Sequence, residues 1–426
     1  MAKKRMYRAE SINNLEVAKL LEALRGRNVT FAMDVAKREL VGVFMEVPEK
    51  VLCSVSWKAP TETMRMVEVL SQAAGVCTLA VALEPTGTYG DAMRGLMHGL
   101  GLPVYRVSPK RASDAAEIYD GVPSQHDSKC AAIVGWLHGQ GRSELWTEVS
   151  PELRNLAAVT EQMQLFSKQY HACLNRMEAK LARHFPELGE QLELNSATLL
   201  ALIGKFGSPA AIASSESNAR ALMERVGKAL LSSDKVDRVL ELARTTTGAS
   251  MTEGERECVK ALAVETDRQR REMAAARKKV EEQALEHASV RRVSEAVGKV
   301  TAAVLYVEAG DPSTYKSAAA YTKSLGLNLK IKNSGKPADQ GQLKITKRGS
   351  STARAMLYMA VLRLIQTDPR FKAWYGRKVA RSDGKYKGKA LVALMRKLAK
   401  ALWHVSRGGT FDSSKLFDDA RLGLAA

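Results

Sequence analysis

The apolar residues of this chain change rhythm near residue 149, and that change limits the folds open to it. Before it they come in short, β-branched runs between turn residues: VTFAMDVA, ELVGVFME, VLCSVSW, CTLAVALE and PVYRVSP. Runs of this length and alternation predict strands. TETMRMVEVLSQAAG and GTYGDAMRGLMHGLG predict helices among them, and AAIVGWLHGQG closes the segment as another. Hairpin-like strands followed by alternating helix and strand predict an α/β domain with a mixed sheet over residues 29–148. After Ser150 the apolar positions recur every three or four residues through two long charged stretches. That spacing predicts two long antiparallel helices, or a coiled-coil-like arm, over residues 149–289. The Gly-, Pro- and Ser-containing text between them, ALIGKFGSPAAIASSESNARALMERVG, predicts a small helical insert. Residues 290–426 predict a mostly α-helical third domain, interrupted by a polar Gly-rich loop. Residues 1–28 read as a polar helical arm.

The bulk numbers exclude several classes. A chain of 426 residues with 45% hydrophobic content can bury real cores in two or three domains. No apolar run approaches membrane-spanning length. The start, MAKKRMYRAESINNLEVAKLL, lacks the apolar core of a signal peptide. Five scattered cysteines without a CxxC pair fit a reducing cytoplasm and give no zinc pattern. The formal net charge is +19, unevenly placed: residues 291–426 hold 27 Lys and Arg against 9 Asp and Glu. Such a concentration marks a polyanion partner. Trp374, Tyr375 and Trp403 lie among these cations in an apolar helical pattern, which favours a folded nucleic-acid-binding domain over a tail.

Three acidic positions stand out in the first third: Asp34 in FAMDVAK, Glu84 in LEPTGTYG and Asp127 in VPSQHDSKCAA. Singly, each is an ordinary turn or cap residue. Jointly, carboxylates delivered from two strand ends and a helix start are what a hard divalent cation needs: magnesium, or manganese in its place. Two such ions can hold both the attacking and the leaving oxygen of a phosphodiester.

FAMDVAK, LEPTGTYG, VPSQHDSKCA and the C-terminal VGKVTAAVLYVEAGDPSTYKS…YTKSLGL…NSG…ITKRGSSTARAMLYMAV occur in an order that resembles a known family. It is that of the insertion-sequence recombinases with a RuvC-like, RNase H-like DEDD domain, which includes Piv-type invertases and bridge-RNA-guided transposases. The resemblance covers roughly residues 29–148 and 290–406. It implies a RuvC-like domain with Asp34, Glu84 and Asp127 as magnesium ligands, and a transposase domain whose nucleophile is Ser334 in NSGK. A Gly after the serine suits close approach of backbone to phosphate. Lys332, Lys336 and Lys347 are suited to stabilising the charge that develops there. Arg348, Arg354, Lys385, Lys387 and Lys389 extend the expected nucleic-acid contacts. Thr346 is the rival hydroxyl, with helix capping as its competing role.

Two departures accompany the resemblance. The family's Pro is missing from LGLNLKIKNSG, and its second carboxylate, in HDxxDA, is replaced by Cys130 in HDSKCA. A cysteine is a soft ligand, poorly matched to magnesium. Asp114, Glu117 and Asp120 are the nearby carboxylates that would substitute. The family further implies donor and target DNA as substrates, a structured guide RNA, and a homo-oligomer, dimer or tetramer. The resulting expectation is strand exchange through a phosphoserine. The alternatives are a metal-dependent, structure-specific endonuclease that does not need Ser334, and a catalytically weakened nucleic-acid-binding relative.

Overall fold

The structure, a computed structural model, describes residues 8–85, 87–330 and 344–424. It divides into two compact units, residues 1–149 and 150–426. Among the described residues no helix is long and apolar enough to cross a membrane.

Among the described residues, the first unit is built on seven strands and five helices. In chain order they are β1 (Glu10–Ser11), α1 (Val17–Leu24), β2 (Asn28–Val35), β3 (Glu39–Glu46), β4 (Lys50–Lys58), α2 (Thr63–Ala74), β5 (Thr78–Leu83), α3 (Asp91–Gly99), β6 (Val104–Val107), α4 (Pro109–Asp120), α5 (Asp127–Gly139) and β7 (Ser143–Leu145). The sheet order is β1-β4-β3-β2-β5-β6-β7. β2, β3 and β4 form an antiparallel meander, while β2, β5 and β6 run parallel. The expected mixed-sheet α/β domain is therefore present.

The alternation of side chains along β2 and β5 sorts them onto two faces. Phe31 and Met33 of β2 join Val81 and Leu83 of β5 in a core that also holds Trp57, Met66 and Leu70. The opposite face carries Ala32 and Ala82, which pack with Ile133, Val134 and Leu137 of α5. Small residues there let the helix sit low. A Cβ on Gly135 would lie 3.0 Å from both the Ala32 Cβ and the Met45 Sδ, so this helix approaches the sheet too closely for a larger residue.

The N-terminal segment differs from the polar arm expected of it. Glu10 and Ser11 pair in parallel with β4, and Ile12, Leu15, Leu20 and Leu24 are buried in the core of this unit. Four apolar residues among many charges suffice to anchor it.

In the second unit, α6 (Pro151–His184) and α7 (Glu253–Ala284) are the two long helices expected. Buried residues recur along α6 as Leu156, Met163, Tyr170, Met177 and Leu181, close to a heptad spacing. Leu156 and Met163 share a cluster with Ala276, Val280 and Ala284, whereas Met177 and Leu181 share another with Val259 and Ala263. The start of one helix thus meets the end of the other, and the pair is antiparallel. The short helices between residues 188 and 245 fill out the second of these clusters. Beyond them lie α8 (Ala288–Val297), α9 (Lys299–Ala309), α10 (Ala318–Ser324), a two-stranded ribbon of β8 (Leu329–Lys330) and β9 (Lys344–Ile345), α11 (Ser351–Thr367), α12 (Pro369–Ala380) and α13 (Lys387–Ser406).

Candidate functional site

The last register pair between β2 and β5 is Met33 with Leu83. Asp34, still paired with Val41 of β3, and Glu84, one residue past the end of β5, are the next residues on these parallel neighbours, so they lie side by side. Each lies two positions beyond an alanine on the α5 face, and so projects toward that face. α5 begins at Asp127, which is exposed, whereas Asp34, Glu84 and Cys130 are half-buried.

The electrostatics tie these groups together. Burial, and then the charge of Asp127, push the Asp34 carboxyl above its ordinary range, against a backbone hydrogen bond from Val35. Burial and then the charge of Asp34 do the same to Glu84. The Cys130 thiol is pushed up to about 11 by burial and then by Asp34, Asp127 and Glu84. Groups from three separate segments, Asp34, Glu84 and the first turn of α5, are therefore electrostatically coupled at the carboxyl-terminal edge of the sheet, where its central strands β2 and β5 end. Like charges held together without a counter-ion disfavour ionisation.

The oxygen donors of Asp34, Glu84 and Asp127 suit a hard divalent cation, and the protonated thiol of Cys130 does not. Among the described residues no group of three or more His, Cys, Asp or Glu side chains is drawn together tightly enough to hold a metal ion. Of the substitute carboxylates, Asp114 is exposed and paired with Lys110, and Glu117 is exposed. Asp120 accepts from the Val122 amide at 3.0 Å and from Lys129 Nζ at 2.7 Å.

Lys129 is the residue that sequence reasoning missed. Its side chain is only 1% exposed, and its ammonium also donates to the Val122 carbonyl. It therefore ties the end of α4 and the following loop to the first turn of α5, the turn that carries Asp127 and Cys130. Helical spacing held the signal: Lys129, Ala132, Ile133 and Trp136 fall on one face. The His126 ring caps the same turn, accepting from the Lys129 amide at 3.3 Å.

In the second unit, Ser334, Lys332 and Lys336 lie outside the described residues. The flanking backbone is tightly knit. Gly326 and Gly349 have φ of +70° and +114°, and a Cβ on them would fall 2.3 Å from the Arg348 carbonyl oxygen and 2.0 Å from that of Ser324. Only glycine allows two turns to close on each other in this way. Thr346 donates to the Gly326 carbonyl at 3.3 Å and caps no helix. The α11 cap is Ser350, which accepts from the Ala353 amide and donates to Glu308. The capping expected of Thr346 is thus corrected: it sits too far before the first turn of α11.

Arg354 donates to the carbonyls of Leu325 and Gly349, holding these turns. Lys347 and Arg348 are exposed beside them. Lys385, Lys387 and Lys389 are exposed at the start of α13, with the Lys389 ammonium 3.9 Å from the Tyr386 ring centre.

Fold and geometry thus define a protein with an acidic sheet edge in an α/β unit and a basic, mostly helical second unit. Residues 294–376 match the family described as "Transposase IS116/IS110/IS902 family". The chain is also 25% identical over 315 residues to a Streptomyces coelicolor protein, covering 71% of this chain and 75% of that one. That relative is described as "Insertion element IS110 uncharacterized 43.6 kDa protein". Both findings support an insertion-sequence transposase family for this chain.

Proposed function

We propose that this protein is a DNA strand-exchange enzyme of an insertion element, with a RuvC-like cation site at Asp34, Glu84 and Asp127 and a nucleophilic Ser334. The observation that carries this reading is the placement of Asp34 and Glu84 side by side at the carboxyl ends of β2 and β5, electrostatically coupled to Asp127 and Cys130 in the first turn of α5. A divalent cation bound there would polarise the phosphodiester and stabilise charge on its oxygens. The three carboxylates would hold the cation on closing further around it, and Lys129 fixes the turn that presents Asp127.

The Ser334 Oγ bonds to the scissile phosphorus, the bond to one sugar oxygen breaks, and that oxygen leaves as a hydroxyl carrying the serine proton. Attack by a hydroxyl of the exchanged strand reverses the step and frees the serine. No bond energy is lost, so no high-energy cofactor is needed. Exposed lysines and arginines of the second unit track the DNA backbone. A structured guide RNA chooses donor and target by base pairing, within a homo-oligomer.

The test uses the full chain, Mg2+, RNA transcribed from the DNA flanking the coding region, and supercoiled DNA bearing candidate sites. Wild type should form a covalent protein–DNA adduct that Ser334→Ala lacks and that Asp34→Ala cannot form. Free nicks by Ser334→Ala at the wild-type rate would select the endonuclease reading. Full recombination by Asp34→Ala would refute the cation site.

A further inference from the structure

A second candidate site lies away from the Ser334 segment. A cavity of about 670 Å³ opens between α12, α13 and the C-terminal segment. Trp374, Arg377 and Lys378 of α12 and its C-cap residue Arg381 line it from one stripe, at spacings of three, four and seven residues. Lys397 of α13 and Arg421 complete the cationic lining, against the single carboxylate of Asp418.

The walls are fixed. Arg370 clamps Asp419 through three contacts, at 2.8, 3.1 and 2.7 Å, which anchors the C-terminal segment to α12. Phe417 packs edge-on against Phe371, with ring centres 5.0 Å apart. Lys397 donates to the Leu416 carbonyl at 2.9 Å. Asp418 is matched by Arg421 at 3.1 Å. Among the described residues no carboxylate pairs with Arg377, Lys378 or Arg381. Two cations in a helix's last turn would suffice to offset its dipole. Here the cations surround a concavity instead, with an indole on its wall.

We propose that this cavity binds one nucleotide of an unpaired nucleic-acid strand, its base against Trp374 and its flanking phosphates on Arg377, Lys378 and Arg381. Flexible single strands are held in this way, by an aromatic platform within a positive groove. The volume falls in the range of small-ligand pockets, too confined for a duplex. The inference rests on the nucleic-acid reading above and adds a strand-gripping site to it.

The test measures binding of fluorescent 12-mer oligothymidylate, oligouridylate and a blunt duplex to the full chain. Arg377→Glu/Arg381→Glu should weaken binding of at least one single strand tenfold or more. It should also lower the magnitude of its salt slope by about 1.4, as expected for two lost phosphate contacts. Trp374→Leu should weaken the same strand about tenfold with little change in slope, and Trp374→Phe should restore most of the loss. Duplex affinity should change less than threefold in every variant. The DNA and RNA arms show which strand the cavity takes. Equal loss for duplex and single strands, or unchanged single-strand binding in folded variants, would overturn the proposal. Wild type that binds no nucleic acid at all would instead remove the underlying functional reading.

Discussion

Two carboxylates of the first unit and one of the second are held in opposite ways. Asp34 and Glu84 are half-buried beside other acids, and their carboxyls lie above the ordinary range. Glu187 in the second unit is partly desolvated too. There, hydrogen bonds from the Thr247 amide and the Thr246 and Thr247 hydroxyls outweigh that cost and hold it down to about 2. The second arrangement stabilises the fold. The first opposes it, and a fold keeps such a cluster where the charge is used for something other than stability.

The largest effect that tests this contrast is on chemistry. Asp34→Ala should reduce strand cleavage at least about a hundredfold, measured by adduct formation, while folding and nucleic-acid binding persist. If Asp34 were structural like Glu187, its loss would instead lower the melting temperature.

The next effect is on stability, close to the same edge. Lys129→Ala would leave Asp120 without its ammonium partner and release the first turn of α5. It should cost about 3 kcal/mol in chemical denaturation. Glu187→Gln removes the charge from a partly exposed hydrogen-bonded site. Solvent screening limits its cost to about 1 kcal/mol.

The smallest effect is on pH dependence. Asp34 and Glu84 titrate higher in the fold than in the unfolded chain. Their contribution to stability is therefore full below the ordinary carboxylate range and is lost as pH rises through their raised values. Glu187 behaves oppositely: its contribution is present above the ordinary glutamate value and lost as pH falls toward about 2. In thermal melts without divalent cations, Asp34→Asn should flatten the first trend and Glu187→Gln the second. An Asp34→Asn variant that melts lower than wild type at neutral pH would break the contrast.

Most of the first unit was legible because β-branched alternation marks β2 to β5 directly. β7 was not, since a three-residue strand at a sheet edge has no apolar run to show. α4 shows no apolar stripe in the sequence, because its buried residues are only Ala115 and Ala116. Its start was nonetheless marked by Ser108 followed by Pro109. The α1 region reads as a polar arm because charges outnumber the four apolar residues that anchor it. At the candidate site, Asp34, Glu84 and Asp127 were readable as acids at element ends. Lys129 was hidden, since a lysine in a polar motif reads as solvated until its helical face is counted. Ser350, not Thr346, caps α11 because a cap must lie directly before the first turn.

The most direct test is calorimetric titration of Mg2+ into the full chain and into its Asp34→Asn variant at neutral pH. A cation site at the acidic sheet edge requires wild type to bind Mg2+, and the variant, which lacks one of the carboxylate ligands, to bind at least about tenfold more weakly. Equal affinity in the two proteins would contradict it.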